Sequence, residues 1–246
     1  MKCIYYDLRR AIAGRWFFAA LIAATAALYL SVGQATYGLL GYLESIDMYE
    51  DSFWYSVSDL LVLGMKGDFG MLTLPALSAL PFAAQALHEI KSGAIRPAVF
   101  RTGRKSWIIG KAAGCMVSGM LLQSAAVGLL FLILNGLMRG YAGQWFPWGD
   151  GGDFWPMLLR RMLCGGIWAG VGCVIALATE TASAAYLAPM CLCYALVMIG
   201  TRFFPDVAML NPMQWVNGAA WLLVALLIIT IALQALFLKR GVQRYA

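Results

Sequence analysis

The sequence predicts an all-α polytopic membrane protein that forms a single transmembrane domain over residues 1–246. Apolar residues make up 62% of the chain and charged residues 12%, against roughly 45–50% and 25% in soluble domains. The apolar residues also fall into runs close to the ~20 residues that a helix needs to cross a bilayer. One soluble core could not bury an apolar excess of this size.

Six runs have the length and composition of membrane-spanning helices. Their predicted limits are 16–33, 69–88, 107–138, 162–179, 184–200 and 219–238. The third run is longer than the hydrocarbon core requires, so we expect its first residues to protrude. Residues 200–218 are too polar to span and too apolar for an ordinary loop. They predict a re-entrant or surface segment before the sixth span.

The chain begins with an amphipathic segment. In residues 1–14 the apolar side chains recur at helical spacing, while Lys2, Arg9 and Arg10 fall on the opposite face. This pattern predicts a helix that lies in the membrane interface.

Two long segments between the spans are expected on the outer surface. Residues 34–68 carry six acids and one lysine. Their apolar pieces, 37–43 and 53–65, are too short or too interrupted to cross a bilayer, so we expect helices that rest on the surface. Residues 139–156 form the second segment, which is rich in Gly, Trp and Pro.

The second span leads into a basic turn. Pro75 and Pro81 predict a kink in this span, because proline removes backbone donors. The turn, residues 88–111, holds six of the eighteen Lys and Arg residues. Helical spacing predicts a short helix over about 85–95, since Arg96 precedes a proline and is disfavoured in a helix.

The basic residues predict the orientation of the chain. Thirteen of the eighteen Lys and Arg residues lie in the two termini and in residues 88–111. Nine of the twelve acids lie in the predicted outer loops. Positive residues concentrate on the cytoplasmic side of membrane proteins. We therefore expect a multi-pass protein of the cell membrane with both termini in the cytoplasm.

The residue types exclude several kinds of site. The phosphate-binding loop of ATPases needs Gly-Lys-Ser/Thr, and the nearest match, Gly103–Ser106, has Arg104 where Lys is required. The only histidine is His88, so neither a Ser–His pair nor a two-His metal site can form. The sequence predicts no catalytic residue, no metal and no cofactor in this chain. Its basic residues flank membrane spans, so we expect no nucleic-acid partner.

Small residues at intervals of four predict close packing between spans. These residues are Gly110, Gly114 and Ser118 in the third span, and Gly166 and Gly170 in the fourth. The span interiors are otherwise nearly free of charge, which disfavours an ion-coupled transporter.

Glu89 is the only acid among the six basic residues of the turn, and Gly93 follows four residues later. The residues alone leave two interpretations open. Glu89 can offset the charge of its neighbours, or it can begin a protruding helix, Glu89–Ile95, whose tip enters a cytosolic partner. In the second case Gly93 permits a close approach of the two backbones.

Residues 74–111 contain, in order, a Leu/Pro-rich end of the second span, Glu89, Gly93, Arg101 or Arg104, and Lys111. Together with the six spans, the N-terminal interfacial helix and the broken segment before the last span, this order resembles the permease subunits of type-2 ATP-binding-cassette (ABC) exporters. The resemblance covers the whole chain in layout and is most specific in residues 74–111.

The resemblance implies that Glu89–Ile95 is a coupling helix that docks on a separate cytosolic ATPase subunit, which would bind ATP and Mg. The residues of this chain that it assigns to the contact are Glu89, Ile90, Lys91, Gly93, Ile95 and Arg96. It also implies a second permease, identical or homologous, with the substrate moving between the two permeases in the lipid bilayer.

The hypothesis is therefore a permease subunit that exports an amphipathic substrate such as a peptide, a lipid or a drug, because few polar residues lie in the spans. Two alternatives stay open: a membrane scaffold or immunity protein that transports nothing, and an ion-coupled secondary transporter. The long acidic segment 34–68 and the Trp-rich segment 139–156 depart from the family pattern and leave the substrate undetermined.

Overall fold

The computed structural model describes residues 2–45, 56–142, 152–218 and 220–245. Residues 46–55 and 143–151, which belong to the two predicted outer segments, lie outside the described residues. Within the described ranges the chain is helical and has no strand. The helices are α1 (Lys2–Ile12), α2 (Arg15–Ser45), α3 (Val57–Lys66), α4 (Asp68–Ala79), α5 (Gln85–Lys91), α6 (Ile95–Thr102), α7 (Arg104–Ala142), α8 (Phe154–Thr179), α9 (Ala184–Phe203), α10 (Pro212–Trp215) and α11 (Ala220–Tyr245).

Five helices are long and apolar enough to cross a bilayer: α2, α7, α8, α9 and α11. The bent pair of α3 and α4 supplies a sixth crossing if the two helices count as one span. The predicted all-α polytopic membrane fold is therefore confirmed. Helix α7 has 39 residues and is about 58 Å long at 1.5 Å per residue, nearly twice the ~30 Å hydrocarbon core. Helix α2 continues to Ser45, so residues 37–43 extend the first spanning helix instead of forming a surface helix.

The second crossing differs most from the prediction. Helices α3 and α4 meet at an angle of 68°, and Gly67 lies at the junction. A Cβ on Gly67 would lie 2.4 Å from the Cβ of Ser31 on α2, and the Ser31 hydroxyl accepts a hydrogen bond from the Gly70 amide at 3.0 Å. Six of the ten residues of α3 are buried. The expectation that residues 53–65 rest on the outer surface is therefore wrong for the described part of this segment, because α3 packs inside the bundle.

The other end of the second crossing is interrupted as well. Pro75 lies inside α4, and Pro81 falls in the non-helical stretch 80–84 between α4 and α5. The predicted kink is thus a complete break of the helix at Pro81. The segment that the sequence presents as one span consists of the helices α3, α4 and α5.

The basic turn contains two short helices instead of one. Helix α5 ends at Lys91, about one turn before the predicted limit, and α6 begins at Ile95. Arg96 lies inside α6, so the expectation that it stays outside a helix is wrong. Pro97 is the third residue of α6, and at this position a missing N–H removes no intrahelical hydrogen bond.

Two glycines end these short helices. Gly93 has a φ of +74° and Gly103 a φ of +80°, a backbone region that other L-residues rarely adopt. Gly93 lies in the turn between α5 and α6, and Gly103 is the single residue between α6 and α7. The glycines therefore set the two changes of direction in the turn.

Helices α7 and α8 make the tightest backbone contact. A Cβ on Gly119 would lie 2.5 Å from the carbonyl oxygen of Gly165, and a Cβ on Gly165 would lie 2.7 Å from the carbonyl oxygen of Gly119. Side chains at either position would force the helices apart. The pattern of small residues in the sequence did not single out this pair.

The five small residues singled out from the sequence are all buried: Gly110, Gly114, Ser118, Gly166 and Gly170. Gly170 is the most crowded of them, since a Cβ there would lie 2.6 Å from Cγ2 of Thr230 on α11. At Gly114 the nearest atom, in the Phe82 ring, would be 3.4 Å away, which is an ordinary contact.

Residues 200–203 complete the spanning helix α9, and residues 204–218 form no spanning helix. A 3₁₀ turn, Ala208–Leu210, and the short α10 fold back on the bundle. The Trp215 ring stacks on that of Trp168 in α8, with 5.5 Å between the ring centroids, and its Nε1 donates a hydrogen bond to the Met209 carbonyl at 3.0 Å. The segment is therefore anchored on α8 by an aromatic pair.

Gly119→Ala is expected to destabilise the protein by about 1–3 kcal/mol, because its Cβ would overlap the Gly165 carbonyl and push α8 away. Gly128→Ala on the same helix is the matched control, since no atom lies within 4 Å of that Cβ. Thermal unfolding in detergent micelles measures the difference. Equal stability of the two variants would contradict the proposed helix crossing.

Candidate functional site

One end of the bundle concentrates exposed positive charge. It is formed by α1, α5, α6, the first turns of α7, the turn between α8 and α9, and the end of α11, and we call it the basic end. Its exposed Lys and Arg residues are Arg9, Arg10, Lys91, Arg96, Arg101, Arg104, Lys105, Lys239 and Arg240.

A buried lysine joins three helices at the basic end. Lys111, in the second turn of α7, has only 2% of its side chain exposed. Its Nζ lies 2.7 Å from Oδ1 of Asp7 on α1 and 2.7 Å from Oε1 of Glu89 on α5. The ammonium group also lies 5.5 Å from the centroid of the Phe82 ring. We call Asp7, Glu89 and Lys111 the ion triad.

Glu89 faces into the protein. Its side chain is 14% exposed, and Nε2 of Gln85 donates to Oε1 at 3.2 Å. Arg10 approaches the same oxygen at 3.8 Å, but its side chain is 69% exposed, so this pair contributes little. The structure thus places Glu89 in the last turn of α5, with its side chain directed into the protein and not toward a partner.

The ion triad is costly to disturb. Two carboxylates and one ammonium group are removed from water, and such groups are stable only when their attraction and hydrogen bonds offset the lost hydration. Removal of Lys111 leaves two carboxylates without compensation, which typically costs about 3–5 kcal/mol, whereas removal of either carboxylate leaves Lys111 paired with the other. The triad therefore resists separation of α5 from α1 and α7.

The other predicted coupling residues divide into two groups. Ile90 and Ile95 are buried, and a Cβ on Gly241 of α11 would lie 2.8 Å from Cδ1 of Ile90. Lys91, Gly93 and Arg96 are exposed. Three of the six predicted residues, Glu89 included, therefore attach the turn to the bundle, and three are accessible on its surface.

The exposed end of α5 is also attached to the rest of the basic end. The Lys91 ammonium group donates a hydrogen bond to the backbone carbonyl of Glu180 in the turn between α8 and α9. Residues 91–94 remain exposed beyond this contact. A partner that contacts this segment would therefore act on α5, α7 and α8 together.

A second buried cation lies deeper in the bundle. Arg161 of α8 is 2% exposed, and it lies one residue before the predicted fourth span, 162–179. Its guanidinium donates to the carbonyls of Met65 at 2.8 Å and Gly70 at 3.1 Å, which lie on either side of the α3–α4 junction. Its Nε donates to Oε1 of Gln123 at 3.3 Å.

These contacts explain how the junction is stabilised. The last carbonyls of a helix have no intrahelical partner, and the Met65 carbonyl belongs to the last turn of α3. Because a guanidinium presents several donors in a fixed plane, Arg161 can bind both sides of the break at once. Gln123 of α7 completes the network, since its Nε2 donates to the Ser78 hydroxyl of α4 at 2.8 Å.

Little in the sequence indicates that Arg161 is buried. Two adjacent arginines beside aromatic residues are typical of a membrane interface, and no local pattern distinguishes Arg161 from Arg160. In the structure Arg160 makes a single contact with the Val216 carbonyl at 3.3 Å. The difference arises because adjacent side chains of a helix point in different directions, and that of Arg161 points toward α3 and α4.

No model of a known protein family matches the chain, and the comparison with curated proteins finds no match either. The candidate site therefore stands on its own geometry. Within the described ranges no three His, Cys, Asp or Glu side chains are grouped so that they could hold a metal ion.

Arg161→Lys is expected to destabilise the protein by at least about 2 kcal/mol, because one ammonium group cannot replace the donors to both buried carbonyls. Arg160→Lys is the matched control and should change the unfolding free energy by less than about 1 kcal/mol. Both values are measurable by denaturant unfolding in micelles. An Arg161→Lys protein as stable as the control would show that the two-carbonyl contact does not stabilise the break.

Proposed function

We propose that this chain is the membrane-spanning permease subunit of an ABC exporter, powered by ATP hydrolysis in a separate cytosolic subunit. The observation that carries the proposal is the construction of α5. Its exposed end, residues 91–94, is accessible to a partner, and the inward side of its last turn is fixed to α1 and α7 by the buried ion triad. A helix that transmits movement needs both an accessible contact and a rigid attachment.

The predicted coupling residues then have distinct roles. Lys91, Gly93 and Arg96 contact the ATPase, while Glu89, Ile90 and Ile95 attach the turn to the bundle. No atom lies within 4 Å of the position that a Cβ on Gly93 would take, so a partner has room to approach the backbone. In this arrangement closure of the ATPase subunits moves α5, and the ion triad passes the movement to α1 and α7.

The same proposal assigns the remaining partners. ATP and Mg bind in the ATPase, and this chain supplies no catalytic residue, metal ligand or cofactor site and binds no nucleic acid. Both termini lie on the cytoplasmic side of a cell membrane. They belong to the basic end, and positive residues concentrate on the cytoplasmic side. A second permease, identical or homologous, completes the transport pathway.

An apolar groove supports an amphipathic substrate. It lies between α2 and α7 and has a volume of about 390 Å³. Its walls are formed by Ile22, Thr25, Ala26, Tyr29, Leu129, Ile133 and Leu137. A groove of this composition suits an acyl chain or an apolar side chain more than a hydrophilic solute.

The test uses the tagged chain purified from its native membrane together with bound proteins. An ATPase with a phosphate-binding loop should co-purify and hydrolyse ATP. Gly93→Trp and Ser92→Trp place a bulky group at the contact, and each should lower the co-purified ATPase activity by about tenfold or more, equivalent to about 1.4 kcal/mol of binding. Ser92 has a negative φ, so its variant adds bulk without backbone strain.

Ser106→Trp is the control, because Ser106 is exposed on the first turn of α7 outside the predicted contact. It should retain the ATPase. The proposal is wrong if no ATPase co-purifies with the unmodified chain. It is also wrong if ATP-driven transport by both Gly93→Trp and Ser92→Trp equals that of the control.

An ion-coupled transporter is the second candidate, and the ion triad is the observation in its favour, since buried carboxylates can carry protons. Uptake of an amphipathic dye into vesicles that contain only this chain distinguishes the two functions. Uptake that follows a pH or sodium gradient without ATP supports the secondary transporter.

A further inference from the structure

Helix α6 has a distinctly two-sided surface. Ile95 is fully buried, and Ala98 and Val99 pack against the same apolar cluster at the basic end. On the opposite side Phe100 is 94% exposed, and Arg101 beside it is exposed as well. An almost fully exposed phenylalanine is unfavourable in water, so this surface requires an apolar contact.

The charge around Phe100 has one sign. Arg101, Arg104 and Lys105 are exposed, and no salt bridge involving them occurs within the described part of the chain. Residues 90–149 contain no Asp or Glu. Arg104 and Lys105 also lie in the first turn of α7, where positive charge opposes the helix dipole. The surface therefore favours a partner that carries negative charge.

The position of this surface along α7 matches the headgroup layer of a bilayer. Ile109 is the first strongly exposed apolar residue of α7 and is 62% exposed, which places the edge of the hydrocarbon core near it. Arg104 lies five residues earlier, or about 7.5 Å along the helix axis. The headgroup layer on each side of the core is about 5–7 Å thick. Since α6 joins α7 through Gly103 alone, α6 lies at headgroup depth.

We propose that α6 is a lipid-binding element, in which Arg101, Arg104 and Lys105 bind the phosphates of anionic phospholipids and Phe100 inserts between the headgroups. An aromatic ring at the boundary of the hydrocarbon core and basic side chains among anionic headgroups are both favourable. The α6 side of the turn is thus attached to the leaflet, which leaves residues 91–94 as the part accessible to a soluble partner. This proposal does not depend on the ABC assignment.

The test places a spin label at residue 100 of the full chain in nanodiscs. Phe100→Cys is made in a background in which Cys3 and Cys191 are serine, because Cys191 is exposed whereas Cys115, Cys164, Cys173 and Cys193 are buried. Collisions with oxygen report insertion into lipid, and collisions with a water-soluble nickel chelate report exposure to water. Ser92→Cys, at the exposed turn, is the reference.

In discs of phosphatidylglycerol and phosphatidylcholine, the label at residue 100 should be accessible to oxygen and protected from nickel, while the label at residue 92 should remain in water. In the protein labelled at residue 100, Arg101→Gln/Arg104→Gln should lower the preference of α6 for phosphatidylglycerol over phosphatidylcholine by about tenfold or more. Each basic residue near an anionic surface contributes a factor of about five. Lys239→Gln/Arg240→Gln removes the same charge from α11 and should leave the residue-100 label protected.

Two results would overturn the proposal. The first is a residue-100 label as accessible to nickel as the residue-92 label in both lipid compositions. The second is a label that becomes protected only when a soluble ATPase is added, which would identify α6 as a protein-docking surface. The side chains of Ser92, Phe100, Arg101, Arg104, Cys191, Lys239 and Arg240 are all exposed, so these substitutions remove no buried side chain.

Discussion

The structure depends on a single ammonium group shared by two carboxylates. Lys111 is almost fully buried, and its two 2.7 Å contacts join α1 and α5 to α7. The attraction within such a triad offsets the cost of removing the two carboxylates from water only while Lys111 stays between them. The helices of the basic end are therefore coupled, and a displacement of α5 requires a displacement of its neighbours.

The same physical principle operates at the other break of the second crossing. This crossing consists of α3, α4 and α5. A cation from a neighbouring helix stabilises the α3–α4 junction, and another binds the last turn of α5. Arg161 of α8 binds backbone carbonyls on both sides of the α3–α4 junction, and Lys111 of α7 binds Glu89 just beyond the α4–α5 break. A helix broken twice inside an apolar bundle leaves backbone groups without partners, and at the first break these cationic contacts replace some of the lost hydrogen bonds.

This arrangement bears on transport in a direct way. A straight, continuous helix would transmit a force along its axis, whereas three short helices can rotate at their junctions. The two cations restrict that rotation to positions in which their contacts survive. In the proposed exporter, movement of α5 would thus reach α7 and α8 through Lys111 and Arg161, without a continuous second span.

Much of the fold could be predicted from the sequence, because apolar runs of about 20 residues report membrane helices directly. The runs that became α2, α7, α8, α9 and α11 each correspond to a spanning helix. Helix α3 was expected on the outer surface because its apolar run is short, and only its contacts with α2 and α8 show that it is buried. The statement that the span interiors are nearly free of charge overlooked Arg161, whose side chain lies on the inner side of α8.

The candidate site was predicted in position but not in geometry. The sequence analysis singled out Glu89 as the unusual acid of the turn, yet neither interpretation indicated that it shares a buried lysine with Asp7. Its partner Lys111 lies 22 residues later, and Asp7 lies 104 residues before Lys111. Pairs so distant in sequence follow only from the packing of α1, α5 and α7, and the Gly119–Gly165 contact escaped the sequence pattern for the same reason.

A double-mutant cycle on Lys111 and Glu89 tests the central claim most directly. The unfolding free energy in micelles is measured for the unmodified chain, Lys111→Met, Glu89→Gln and the double variant, with Lys105→Met as the exposed lysine control. Coupling through the ion triad predicts that the double variant loses at least about 1 kcal/mol less than the sum of the single losses. Additive losses, within about 0.3–0.5 kcal/mol, would contradict the claim that Lys111 joins α5 to the bundle.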